Sequence, residues 1–365
     1  MVNLKNKFNS LESHFLSLAF EQAQINLGST KKNPSVGCIV EKNGAVISSG
    51  CTSINGRPHA EYNALKKLKN AKNANLYVTL EPCSHYGVTP PCTNLIIKKK
   101  IKKVIYSTND LDFRSKKRSK KILQKKKIIV KNSLLNKRGK DFYESYILQH
   151  SSKLPLIDAK IALSKDYLTK NLKKKWITGI ESQKRSHLLR SMYDCILSTS
   201  KSINDDNSIL DCRIDGLQKK SPDLVIIDRF LKLKKNLKIF SKLKGRKVTI
   251  ITCSKNKKKI SFFKNKGITI FIFKSLNQKS DFILLFKKLK NFYSRILIEA
   301  GLTIFNFFIE NRFINSLYVF KTDKSLKKNG YNYSSNKIIK KLKLKSRFQV
   351  YLEGDKLYKV KLKNV

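Results

Sequence analysis

Apolar positions along this 365-residue chain recur with two different periods, and the changes between them mark out its elements. His14 to Leu27 carries the helical period, which predicts an amphipathic helix ended by Gly28. Val36-Gly37-Cys38-Ile39-Val40 and Ala45-Val46-Ile47-Ser48-Ser49 flank Lys42-Asn43-Gly44, the pattern of a β-hairpin. A helix is expected over His59 to Leu68 with Pro58 at its entry, then a buried strand over Leu76 to Leu80. After two prolines a further helix opens at Cys92 and runs to Lys99, followed by a strand over Val104 to Ser107.

Near residue 150 the pattern changes. Gln149 to Lys153 is polar, and Leu154-Pro155 introduces a new strand, Leu156 to Leu163. A boundary there divides the chain into residues 1–150 and 151–365. The second part holds further strand patterns at Leu224–Asp228, Val248–Cys253, Ile268–Phe273, Arg295–Glu299 and Ser316–Phe320, several of them separated by helical segments. Both parts therefore read as α/β, and no internal repeat of fixed period is present.

Composition alters this picture only in part. At 41% hydrophobic residues the chain can bury two cores. No run reaches the roughly 18 to 20 apolar residues of a membrane span, and no signal-like block follows Met1, so a cytoplasmic protein without a membrane partner is expected. The formal net charge of +53 would ordinarily suggest nucleic acid. Here the excess is mostly Lys spread along the whole chain, with Asn and Ile also abundant, which fits compositional drift better than a nucleic-acid footprint. Runs such as Lys116 to Lys127 read as solvated faces and loops. The seven Cys are expected as thiols, with Cys38, Cys195 and Cys253 as small buried hydrophobes and Cys51 open to either reading.

The candidate chemistry lies in the first part. His59-Ala60-Glu61 is followed by Pro82-Cys83 and then Cys92. One imidazole, two thiols and a carboxylate left over are the inventory of a catalytic zinc site with an open fourth position and a proton shuttle. Zinc in such a site lowers the pKa of a coordinated water towards neutrality, and a Glu two residues after the His can carry protons to a leaving amine. The reaction class is hydrolytic deamination of an amino-substituted ring.

Glu81-Pro82-Cys83-Ser84-His85 and Thr89-Pro90-Pro91-Cys92, with Asn33-Pro34-Ser35-Val36-Gly37 upstream, resemble one family closely. It is the bifunctional riboflavin biosynthesis enzyme family, diaminohydroxyphosphoribosylaminopyrimidine deaminase / 5-amino-6-(5-phosphoribosylamino)uracil reductase. The resemblance continues through Lys160 to Asp166, Trp176-Ile177-Thr178, Asn204 to Arg213 and Glu299-Ala300-Gly301. It implies a cytidine-deaminase-like α/β/α domain followed by a dihydrofolate-reductase-like α/β domain, zinc and NADPH as cofactors, and a phosphorylated pyrimidine substrate. His59, Cys83 and Cys92 would be the zinc ligands and Glu61 the proton shuttle. Asn33 would hold the pyrimidine. Ala162, Trp176, Ser202, Asp206 and the Gly301-Leu302-Thr303 turn would contact NADPH, while Arg190, Leu210, Arg213 and Glu299 would face the reductase substrate. Apart from that resemblance, Trp176 also reads as a core aromatic and Arg190 as a solvated helix residue. A homo-oligomer is expected.

The chain departs from the family at several places. Val88 stands where Lys or Arg, suited to the substrate phosphate, is common; Arg57 or a nearby Lys is the candidate replacement. Asp110-Leu111-Asp112-Phe113 replaces Asp-Pro-Asn-Pro, Tyr167 replaces a Gly, and Leu302 replaces a Pro. Two alternatives compete with the leading reading: a deaminase of a nucleic-acid base, and a deaminase whose second half only scaffolds it.

Overall fold

The computed structural model describes residues 2–112, 114, 117–174, 176–243 and 245–362. Phe113 of the departing tetrapeptide and Lys116 at the head of the basic run lie outside the described residues. Contacts divide the chain into two compact units, Met1–Lys153 and Leu154–Val365.

In the first unit α1 (Val2–Gln24) precedes the hairpin of β1 (Gly37–Lys42) and β2 (Ala45–Cys51). The helix starts well before His14 and stops short of Gly28, which lies at φ 81° in the turns that follow. Asn43 and Gly44 both take positive φ, 53° and 84°, the geometry a two-residue hairpin turn with right-handed strand twist requires. Next come α2 (Ala60–Leu65), β3 (Asn75–Leu80), α3 (Cys92–Lys98), β4 (Lys103–Thr108), α4 (Arg118–Lys125), β5 (Ile129–Asn132), α5 (Asn136–Phe142) and α6 (Glu144–Ser151). The sheet order is β2-β1-β3-β4-β5, antiparallel through β3 and parallel beyond it.

Two glycines fix how closely helices approach this sheet. A Cβ on Gly37 would lie 1.8 Å from the Ala19 carbonyl oxygen of α1, and one on Gly50 would lie 2.5 Å from the Ala60 oxygen of α2. Gly37 is paired with Cys51 and Cys38 with Gly50, so α1 and α2 cover opposite faces. Gly50→Ala should cost about 1–3 kcal/mol by overpacking against rigid backbone. It should also displace Glu61, which α2 carries. Urea unfolding midpoints compared with wild type test the first effect.

The second unit runs through β6 (Leu156–Leu163), the short β7 (Lys170–Asn171), α7 (Ile180–Arg190), β8 (Cys195–Thr199), α8 (Ser200–Asp206), β9 (Asp223–Ile227) and β10 (Val248–Thr252). It continues with α9 (Lys257–Asn265), β11 (Thr269–Ile272), α10 (Lys279–Lys290), β12 (Arg295–Ile298), α11 (Leu302–Glu310), β13 (Ser316–Lys321), β14 (Gly330–Tyr331), α12 (Lys337–Lys340) and β15 (Lys356–Lys361). Its sheet has the order β11-β10-β9-β8-β12-β6-β13-β15, parallel except for β15, while β7 and β14 form a separate ladder. Helices cover both faces, as a parallel sheet demands. Phe282, Leu285 and Phe286 of α10 with Phe305 and Phe308 of α11 bury one side; Leu189 of α7, Ile203 of α8 and Phe263 of α9 bury the other. Among the described residues, no helix is long and apolar enough to cross a membrane.

Candidate functional site

In the first unit, three side chains from separate stretches meet. His59 is the N-cap of α2, extended at φ −71° and ψ 160°, rather than a residue of its first turn. Cys83 lies in the loop after β3, and Cys92 is the first residue of α3. His59 Nδ1 is 3.5 Å from Cys83 Sγ and 3.6 Å from Cys92 Sγ. All three potential ligand atoms lie within 4.8 Å of one another. A tetrahedral zinc with bonds near 2.0–2.1 Å to N and 2.3 Å to S would set each N···S edge at about 3.6 Å. The donor set and its spacing therefore fit that ion.

Charge around the cluster follows the same logic. Hydrogen bonds from Cys92, first its thiol, together with His59 overcome burial and pull the Cys83 thiol down to about 4, while Cys92 is pushed up. The Cys92 amide also donates to Cys83 Sγ at 3.3 Å. Glu61 is buried in the first turn of α2. Burial, then the Cys83 thiolate, pushes its carboxyl up to about 7 against the pull of His59. A carboxyl near neutrality is able to take and give protons. Asn33 donates to the Gly56 carbonyl at 3.1 Å, three residues before His59.

The loop carrying Cys83 is held by residues to which motif reading gave no role. Buried Glu81 accepts from the amides of Asp110 and Lys117 at 3.1 Å each and from Ser119 Oγ at 2.8 Å. Asp110 in turn accepts from Tyr146 at 2.7 Å. A Glu directly before Pro-Cys was the available signal.

In the second unit Ala162, Ser202, Glu299 and Gly301 lie at or just beyond the carboxyl ends of β6, β8 and β12, the edge where such sheets bind ligands. Ala162 is on β6. Thr199 caps α8, accepting from the Ser202 amide at 3.2 Å, and Ser202 Oγ accepts from the Gly301 amide at 3.1 Å. Gly301 is the N-cap of α11, which has no side-chain cap. Leu302 is buried in the core, so only its backbone faces this edge, whereas Thr303 is exposed. Asp206 accepts from Lys170 Nζ at 2.6 Å. Trp176 is 49% exposed, which removes the reading of it as a core aromatic.

Arg190 is buried, so it is no solvated helix residue. Its Nε and Nη2 donate to the two carboxylate oxygens of Glu299 at 2.6 and 3.0 Å, and Nη1 reaches the Asp211 carbonyl at 3.2 Å. Its fork is thus engaged within the protein, and Arg213, which is exposed, presents its Nη2 3.0 Å from His187 Nε2. Leu210 is buried with a positive φ of 57°. Lys160, not singled out from the sequence, lies 3.6 Å from Glu299 Oε2. A Lys two residues from Asp158 inside an apolar strand was the clue.

Comparison with known proteins agrees with both halves of this description. Residues 9–108 match the family model for the cytidine and deoxycytidylate deaminase zinc-binding region, and residues 157–346 match that for the RibD C-terminal domain. The riboflavin biosynthesis protein RibD of Aquifex aeolicus is 31% identical over 85% of this chain and 86% of its own length. RibD of Buchnera aphidicola is 32% identical over 86% and 87%. Among solved structures, Acinetobacter baumannii RibD superposes with a TM-score of 0.79 at 25% identity, covering 97% of this chain and 99% of that one. The deaminase/reductase from Thermotoga maritima gives 0.80 at 25% identity with the same coverage. With its two halves in this order and its length shared almost end to end, the chain belongs to the RibD family of bifunctional deaminase/reductases of riboflavin biosynthesis.

Proposed function

We propose that residues 1–150 hydrolytically deaminate 2,5-diamino-6-(5-phosphoribosylamino)pyrimidin-4-one, and that residues 151–365 then reduce the ribosyl group to ribityl with NADPH. The observation that carries the first step is the pair of N···S distances, 3.5 and 3.6 Å, among three residues drawn from separate stretches of chain. His59, Cys83 and Cys92 would hold zinc, which supplies an activated water at neutral pH. Glu61 takes a proton from the attacking water and returns one to the departing amine. Asn33, in the loop before β1 and hydrogen-bonded to the segment that leads into His59, orients the ring, and burial of Glu61 keeps bulk water from competing for its proton.

For the second step, support comes from the donor set at the strand ends. The uncapped first turn of α11 beside Ser202 suits a cofactor phosphate, since its amides point outward and the helix dipole favours an anion. Trp176, Ala162, Asp206, Gly301, Leu302 and Thr303 would line the nucleotide. Leu210, Arg213, Arg190 and Glu299 would define the substrate side, the last two as a prearranged pair. We place the reaction in the cytoplasm, where the seven free thiols would stay reduced, in a homo-oligomer without a nucleic-acid partner.

Removing the metal tests the division of labour. Dialysis against a strong chelator should abolish ammonia release while leaving NADPH binding within about twofold, and zinc should restore the lost step. Metal content by atomic emission and NADPH titration by fluorescence give the two readouts. A zinc-loaded enzyme that releases no ammonia from the diaminopyrimidine phosphate would sink the proposal.

A further inference from the structure

We infer that Arg57 receives the phosphate of the deaminase substrate; the inference rests on the reading of the first unit given above. The phosphate lies at the far end of the substrate from the amine that leaves. Its receptor therefore belongs at the rim of the metal cluster, not in contact with it.

Arg57 occupies that rim. It stands two residues before His59, and its guanidinium reaches across to the loop that links Cys83 to Cys92. Its Nη1 donates to Thr89 Oγ1 at 2.7 Å, and a Cβ on Gly87 would lie 3.5 Å from its Nη2. The loop tip itself, Tyr86-Gly87-Val88-Thr89-Pro90, contains no cation, and Val88 is 86% exposed. Arg57 is the charge that the loop lacks.

The backbone beneath Arg57 is held in place. The Ser53 amide donates to the Pro58 carbonyl at 3.0 Å, the Gly56 amide to Ser53 at 2.8 Å, and the Asn55 amide to Ser29 at 2.9 Å. Asn33 ties down Gly56. One braced segment thus spaces a cation and a metal ligand, with Asn33 of the preceding loop tied to it. Among the described residues Arg57 has no ion pair, and its side-chain hydrogen bonding is confined to Thr89. A guanidinium carries five donors in a fixed fork that matches two phosphate oxygens, so most of that capacity is available. Lys31 and Lys32, beside Asn33, are exposed and carry no comparable tether to the loop.

The experiment compares the ribotide substrate with its dephosphorylated riboside in the zinc-loaded full-length enzyme. Arg57→Gln should raise KM for the ribotide about 10- to 100-fold, the size of one lost charge-assisted contact. Its kcat should stay within about threefold, and kcat/KM for the riboside should not change. Arg57→Lys should recover part of the loss, and Val88→Lys placed in the Arg57→Gln background should recover more. An unchanged ribotide KM, or an equal loss on both substrates at full zinc occupancy, would overturn the assignment. If Arg57→Gln does not fold, Arg57→Lys alone decides, by whether its defect is confined to the phosphorylated substrate. Wild-type enzyme inactive on the ribotide would instead count against the deaminase reading itself.

Discussion

Glu61→Gln should reduce ammonia release about 100- to 10,000-fold while zinc stays bound and NADPH oxidation on the deaminated intermediate persists. The size follows from what a positioned proton-transfer group contributes. Selectivity follows from the structure. Glu61 is not one of the three clustered ligand residues, and Gln fills nearly the same volume, so the packing of α2 over Gly50 is kept. An amide also removes a negative charge from beside the Cys83 thiolate, with which the carboxylate is in mutual repulsion. Zinc content by atomic emission, ammonia release and NADPH oxidation are measured on one preparation. Equal loss of both activities would mean that the variant is misfolded, whereas ammonia release near the wild-type rate at full zinc occupancy would mean that Glu61 holds no proton-transfer role.

The first unit was readable because its chemistry is local. His59 and Glu61 are two residues apart, Cys83 and Cys92 nine, and each lies at an element boundary marked by Pro or by a strand end. The hairpin was readable for a similar reason, since Asn43-Gly44 is one of few pairs that take two positive φ angles cheaply. The second unit depends on distant partners. Arg190 and Glu299 are 109 residues apart, and nothing near either one announces the other. β8, Cys195–Thr199, escaped notice although it lies inside the sheet. It is five residues long and ends in Ser and Thr, so it lacks the run of β-branched residues that marked β9. β15 was hidden by lysines: its Lys-Leu-Tyr-Lys-Val-Lys string alternates only loosely and merges into a tail rich in the same residue.

Those distant partners give the second large effect. Glu299→Gln should destabilise the second unit by about 3–5 kcal/mol, because it strips the counter-charge from a buried guanidinium. Two features bear on the magnitude. Burial alone would push the Glu299 carboxyl up, yet Arg190 and then Lys160 hold it down at about 2. Lys160, already lowered by burial, can shed its proton once Glu299 is neutral, which caps the cost below that of two stranded cations. The pH dependence carries a definite sign. A carboxyl held below its unfolded value, about 4.3, adds stability above that value and loses it as pH falls towards 2. The difference between wild type and Glu299→Gln should therefore be full at pH 6 and shrink steadily below about pH 4. Reductase activity should fall with it, since the variant also loses the arrangement that aims Arg190, whereas ammonia release should persist. Thermal unfolding of the full chain, followed at several pH values, measures the gap. A constant gap between pH 6 and pH 3 would show that the Arg190–Glu299 pair contributes no net charge stabilisation, and that its value to the enzyme lies in geometry alone.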